Sequence, residues 1–147
     1  MYKSTKTYGH EVGLSAVFRQ WRAASHCNLL HGYALSVRFE FEADKLDERN
    51  WVVDFGGLKA VKQWLQDTFD HKTLVARDDP QREYFRDLGS AGIAHIVMVD
   101  AVGCEAFAKM IHEHVSVMIA AEYGDRVRLR EVEVREHGAN SAIYRAD

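Results

Sequence analysis

Leu35-Ser36-Val37-Arg38-Phe39-Glu40-Phe41-Glu42-Ala43 decides the reading of this chain. Leu35, Val37, Phe39 and Phe41 alternate strictly with Ser36, Arg38, Glu40 and Glu42. That period of two belongs to an antiparallel strand with one face in the core and the other toward water. Upstream, residues 5–21 are β-branched and aromatic in parts, and with Gly32 near the turn they supply a hairpin partner. Downstream, residues 44–50 form a charged connection, and Trp51-Val-Val-Asp54 leads into a helix. Leu58, Val61, Leu65 and Phe69 recur there at helical spacing, and Asp54 can cap the first turn.

Asp79-Pro80 is a helix-start signal, so residues 81–88 are expected as a short helix or ordered loop. Residues 96–99 read as a short strand. A second long helix is predicted over 104–123, where Phe107, Ile111, Val115 and Met118 form one stripe and Gly124 ends it. In the strand 127–136, Val132, Val134 and Glu136 share a face, so an apolar row ends in a carboxylate. The sum is a single α+β domain over 1–147, with two long helices covering one face of an antiparallel sheet.

The chain has 147 residues and a formal charge of −3, with acids and bases interspersed. It has no basic stripe for a phosphate backbone, which excludes nucleic acid and favours a small soluble ligand. No apolar run approaches the roughly 20 residues that span a bilayer. The start Met1-Tyr-Lys-Ser-Thr-Lys lacks the apolar stretch of a secretory signal. A cytoplasmic, non-membrane protein is expected, with Cys27 and Cys104 as free thiols.

The densest chemistry lies in Ser25-His26-Cys27-Asn28-Leu29-Leu30-His31-Gly32-Tyr33, just before the surest strand. A cysteine with histidines one and four positions away is an activated thiolate, part of a metal site, or a small packed thiol beside surface histidines. Asp70-His71 offers a carboxylate that orients an imidazole only if the chain turns there; otherwise it is a solvated helix end. Glu136 either reaches solvent or sits in a pocket, where a carboxylate matches the paired N–H donors of a guanidine-like heterocycle such as a pterin. Cys104 at a helix start is an activated thiol or, as expected here, a small capping or packing residue. His112 and His114 flank the stripe of the second helix and are expected to pack there.

Together these residues resemble the 6-pyruvoyltetrahydropterin synthases and the bacterial 6-carboxytetrahydropterin synthases of the queuosine pathway, over most of the chain. Cys27-Asn-Leu-Leu-His31-Gly32 resembles the family's Cys-x-x-x-His-Gly-His, and Asp54-Phe55 with Leu58-Lys59 its Asp-Phe-x-x-Leu-Lys. Phe69-Asp70-His71 stands for Leu-Asp-His, and Gly103-Cys104-Glu105 for the Pro-Thr-Ser-Glu before the second long helix. Val134-Arg135-Glu136 with Ala142-Ile143-Tyr144 resembles the closing Val-x-Glu and Ile-Tyr pair.

The resemblance implies a tunnelling fold, in which strands from several subunits close a barrel and sites lie at subunit interfaces. The usual assembly is a homohexamer, a dimer of trimers. Cys27 would be the general base, Asp70 and His71 a second proton relay, and Glu136 the pterin anchor, with Cys104 and Glu105 also on the substrate side. The family substrate is 7,8-dihydroneopterin triphosphate. The bacterial branch releases acetaldehyde and triphosphate to leave 6-carboxytetrahydropterin.

The same resemblance makes the family's zinc doubtful. Its ligands are three histidines, and this chain has Phe18 at the first position and Tyr33 at the third, leaving only His31. Phenylalanine cannot ligate, and catalytic zinc ordinarily has three protein ligands. Either the site is rebuilt from His31 with His26, and His10 on the first strand, or Phe18 and Tyr33 fill the metal cavity. The second case implies a metal-free variant of the reaction, or a protein that only binds a pterin or purine.

Overall fold

The computed structural model describes residues 1–147. Its strands are β1 (Tyr2–Tyr8), β2 (Leu14–Phe18), β3 (His31–Ala43), β4 (Lys72–Ala76), β5 (Ile96–Val99), β6 (Arg128–His137) and β7 (Asn140–Arg145). Its helices are α1 (Lys59–Phe69), α2 (Arg82–Ser90) and α3 (Cys104–Tyr123). The alternating stretch is the C-terminal part of the 13-residue β3. Leu35, Val37, Phe39 and Phe41 are completely buried there, while Arg38 and Glu40 on the other face form ion pairs with Glu131 and Lys3.

One edge of β3 is shared by two partners. β1 pairs antiparallel along Val37–Ala43 and β2 along His31–Leu35. The sequence reads 5–21 as one strand, but a 3-10 turn at His10–Val12 and Gly13, at φ 77°, divide it. Gly32 lies inside β3 rather than near a turn, and the turn is the longer loop 19–30. A Cβ at Gly32 would stand 2.6 Å from the Ala16 carbonyl oxygen, so its small size serves close approach of β2.

The other edge of β3 pairs with β6, and β6 with β7, both antiparallel. The sheet is nevertheless mixed, which corrects the purely antiparallel expectation: β2 pairs parallel with β4, and β4 parallel with β5. The β4–β5 connection runs through α2, since parallel neighbours need a crossover. In the single chain, β1 and β7 each leave one edge unpaired.

The two longer helices cover one face of the sheet. Asp54 accepts from the Gly56 amide at 3.0 Å and caps a 3-10 turn that runs into α1, which buries Val61, Leu65 and Phe69. α3 buries Phe107, Ile111 and Val115 against the same core. Val75 and Phe85 are buried outside that core, so α2 covers the reverse face of β4 and β5. Phe107 joins the elements, meeting Phe18 of β2 edge-on at 5.2 Å and Phe69 of α1 at 5.4 Å between ring centres.

Phe107→Ala is therefore expected to destabilise the fold by ~3–5 kcal/mol in urea unfolding, the range for a large buried aromatic. A loss below ~1 kcal/mol would show that the junction of β2, α1 and α3 does not depend on this ring.

Candidate active site

The register of β2 on β3 sets Phe18 across from His31 and Ala16 across from Tyr33. The three rings cluster: Phe18 lies 5.3 Å from His31 and 6.1 Å from Tyr33, and His31 lies 5.5 Å from Tyr33. His137, at the end of β6, completes the group 6.1 Å from Tyr33. His31 Nδ1 sits 2.7 Å from the Leu29 carbonyl oxygen. A carbonyl only accepts, so Nδ1 carries a proton and donates, and Nε2 is the nitrogen turned away from this bond.

Cys27 sits in the 3-10 turn His26–Asn28 that precedes β3 and is partly exposed. Its amide donates to Ser25 Oγ at 3.4 Å, and its carbonyl accepts from the Gln20 amide at 2.9 Å. Gln20 also donates through Nε2 to the Val102 carbonyl at 3.1 Å, joining the cysteine turn to the approach of α3. Sequence reasoning passed over Gln20, whose bonds to Cys27 and Val102 lie 7 and 82 residues away and leave no local pattern.

Glu136 is half-buried on the core face of β6, beyond Val132 and Val134, where the β6–β7 pairing shifts register. Its carboxylate faces Tyr33 and Cys104. Burial first, then the charges of Glu136, Cys27 and Cys104, raise the Tyr33 phenol above its ordinary value. Burial and then the Glu136 and Glu105 carboxylates push the Cys104 thiol up to about 12. Cys104 is thus a packed, protonated thiol that can donate to Glu136, and it is 6% exposed. Glu105 is exposed in the first turn of α3.

Asp70 and His71 meet because the chain does turn: His71 takes φ 57°, the left-handed region, directly after α1. Asp70 Oδ1 is 2.8 Å from His71 Nδ1 and accepts from the Ser15 amide at 3.2 Å. Burial raises the Asp70 carboxyl, but the bonds from His71 and the Ser15 amide outweigh it and hold it below the usual carboxylate range. His71 opens onto a groove of about 1030 Å³ with Lys72, Thr73 and His95. This pair is tied to Ser15, whereas Cys27 is tied to Gln20. Ser15 lies near the start of β2 and Gln20 two residues past its end, so the two groups are anchored at opposite ends of that strand.

Nor does the chain gather three His, Cys, Asp or Glu side chains as a metal-binding group. Phe18, 3% exposed, packs beside His31, and His26 is exposed on the preceding turn. His10 Nδ1 is turned to the Ala34 carbonyl. The ring cluster offers the His31 and His137 imidazoles and the Tyr33 phenol but no gathered set of three His, Cys, Asp or Glu donors, which does not fit a catalytic zinc. His112 packs as expected, with Nε2 2.9 Å from the Leu129 carbonyl oxygen. No helix is long and apolar enough to cross a membrane.

An α+β tunnelling-fold domain with a thiol, a carboxylate and an aromatic cluster at one end of the sheet is the class these features define. The chain belongs to the 6-pyruvoyl tetrahydropterin synthase family, whose sequence model matches residues 9–147. It is 24% identical to the 6-carboxy-5,6,7,8-tetrahydropterin synthase of Aquifex aeolicus over an alignment covering 100% of this chain and 90% of that one. The enzyme of the same name from Rickettsia felis is 30% identical over 82 residues, 55% of this chain and 56% of the relative. That match thus spans little more than half of either protein. Among solved structures, an uncharacterized protein of Wolinella succinogenes superposes with a TM-score of 0.84 at 19% identity, covering 99% of this chain and 98% of that one. The 6-pyruvoyl tetrahydropterin synthase of Plasmodium vivax gives 0.66 at 13% identity, covering 100% and 99%. Both share the fold.

The Cys104 thiol yields a pH prediction. Its folded value lies above the unfolded one, so its contribution to stability is complete below about pH 8.5 and is lost as pH rises toward about 12. Melting curves between pH 8 and 11 should fall less steeply for Cys104→Ala than for the natural protein. Parallel slopes would place the thiol in water.

Proposed function

We propose that the protein is a pterin-transforming lyase of the 6-carboxytetrahydropterin synthase type, acting on 7,8-dihydroneopterin triphosphate without zinc at the family's usual place. The observation that carries this reading is Glu136, half-buried beside Tyr33 and Cys104 at the end of the sheet where Cys27 also lies. A pterin presents an N–H pair from its 2-amino and 3-imino groups, and a carboxylate accepts both through parallel charge-assisted bonds. Relatives named 6-carboxy-5,6,7,8-tetrahydropterin synthase support the choice of substrate class.

With the ring held by Glu136, the Cys27 thiolate takes a proton from the pterin side chain, and Asp70-His71 of a second copy returns or removes the other. The anchoring of the two groups at opposite ends of β2 supports a shared site. The free edges of β1 and β7 support closure of copies into a barrel, within a hexamer built as a dimer of trimers. A second reading, a non-catalytic pterin or purine binder, is favoured by Phe18 and Tyr33 at two ligand positions.

Incubation of chelator-treated protein with 7,8-dihydroneopterin triphosphate decides between the two. Appearance of 6-carboxytetrahydropterin, acetaldehyde and triphosphate is the expected result; unchanged substrate that nevertheless binds would leave only the binder. Cys27→Ala should lower turnover by about 10²–10⁴-fold with binding nearly intact. Glu136→Gln should weaken neopterin binding by about ten- to a hundredfold in calorimetric titration, since one acceptor becomes a donor facing a donor. Equal affinities would remove the anchor. For the shared site, mixing and reassembling Cys27→Ala with His71→Ala subunits should restore roughly a quarter of the natural activity, the chance that both intact groups meet. No recovery would return both groups to one chain.

A further inference from the structure

The loop that carries Cys27 is stapled to the loop before α2 through a residue outside the proposed chemistry. Arg19 follows Phe18 at the end of β2 and donates through Nε and Nη2 to Asp79 Oδ2 and Oδ1, at 3.0 and 2.8 Å. Its remaining terminal nitrogen, Nη1, turns the other way and donates to Asn28 Oδ1 at 3.2 Å and the Asn28 carbonyl at 3.4 Å. Asn28 Nδ2 in turn donates to the Trp21 carbonyl at 2.8 Å and the Ala23 carbonyl at 3.4 Å.

Asp79 is 1% exposed and also accepts from the Gln81 amide at 2.8 Å. A carboxylate so deeply buried is costly without its cation, so Arg19 is not free to swing away. The guanidinium is planar, and fixing two of its nitrogens on Asp79 fixes the direction of the third. Cys27 and Asn28 are adjacent in one short turn. The Gln20 amide holds the Cys27 carbonyl and Arg19 holds the Asn28 carbonyl, so the Cys27–Asn28 peptide and the one that follows it are tied to consecutive residues of the β2 exit. A second contact between the loops, Arg22 with Asp78 at 3.4 Å, is by contrast exposed on both sides, at 67% and 57%.

We propose that Arg19 and Asp79 are positioning residues for Cys27: the buried fork holds the 3-10 turn so that the thiol stands at a fixed place in the pocket. The proposal rests on the reading of Cys27 as the reacting group, but it makes a separate statement about the thiol itself. Loosening the fork should leave pterin recognition by Glu136 alone while misplacing the group that moves the proton.

The test uses the natural protein, Asp79→Asn, Arg19→Lys and, as a control, Arg22→Ala. Each is alkylated with iodoacetamide under native conditions, with Cys27 followed by peptide mass spectrometry, and assayed with 7,8-dihydroneopterin triphosphate. In Asp79→Asn, alkylation of Cys27 is expected to accelerate about tenfold as the turn opens more often. The kcat is expected to fall about 10²-fold with KM within about twofold. Arg19→Lys keeps the charge opposite Asp79 but gives up the reach to Asn28, so it should show the same pattern, and it decides the matter if Asp79→Asn does not fold. Arg22→Ala should match the natural protein in both measurements. Cys27 alkylation within about twofold of the natural rate in folded Asp79→Asn and Arg19→Lys would overturn the proposal. So would equal acceleration in Arg22→Ala, which would make the effect one of general loop stability. If Cys27→Ala itself turned over normally, the catalytic reading would fall, while the alkylation rates would still judge the fork.

Discussion

The pairing of β2 with β3 is the constraint on which the rest depends. Because side chains alternate across a strand, a slip of one residue would turn Leu14, Ala16 and Phe18 out of the core and bring Ser15 and Val17 in. The register is held by apolar burial along β3 and by the close approach of Ala16 to Gly32, where no side chain fits. Given that register, Phe18 must lie opposite His31, Tyr33 must share their face, and Phe107 must close over Phe18 from α3. The pocket is therefore a product of sheet pairing, and its aromatic lining belongs to the same core that stabilises the fold.

That origin explains the electrostatics. Glu136 ends an apolar row, so its charge is felt strongly by the phenol of Tyr33 and the thiol of Cys104, both of which stay protonated beside it. Two weak acids held neutral around one carboxylate form a donor-rich wall against Glu136. Phe18 and Tyr33 pack beside His31 and form an aromatic surface at the same end of the sheet.

Much of this was legible in the sequence, for identifiable reasons. β3 announced itself because only one of its faces is apolar. α1 and α3 did so by their stripes, and Glu136 by breaking one. β4 did not, because Leu74, Val75 and Ala76 are buried on both faces and show no alternation. The break between β1 and β2 depends on a left-handed Gly13 that nothing nearby demands. Gly32, read as a turn residue, serves close packing instead. At the site, Cys27, Asp70, His71 and Glu136 stand in short motifs, whereas the turn that joins the acid to the imidazole depends on the left-handed His71, at φ 57°, which no local pattern demands. Arg19 and Asp79 leave no local pattern, because their contact spans 60 residues and only the fold reveals it.

The central claim is that Phe18 and Tyr33 replace a metal site with an aromatic one. It is tested most directly by zinc content, measured by inductively coupled plasma mass spectrometry on the natural protein and on a Phe18→His/Tyr33→His double variant, both loaded with zinc and desalted. The account predicts well under one zinc per chain in the natural protein and about one in the double variant, where three imidazoles would again converge. Stoichiometric zinc in the natural protein, lost on His31→Ala, would contradict it.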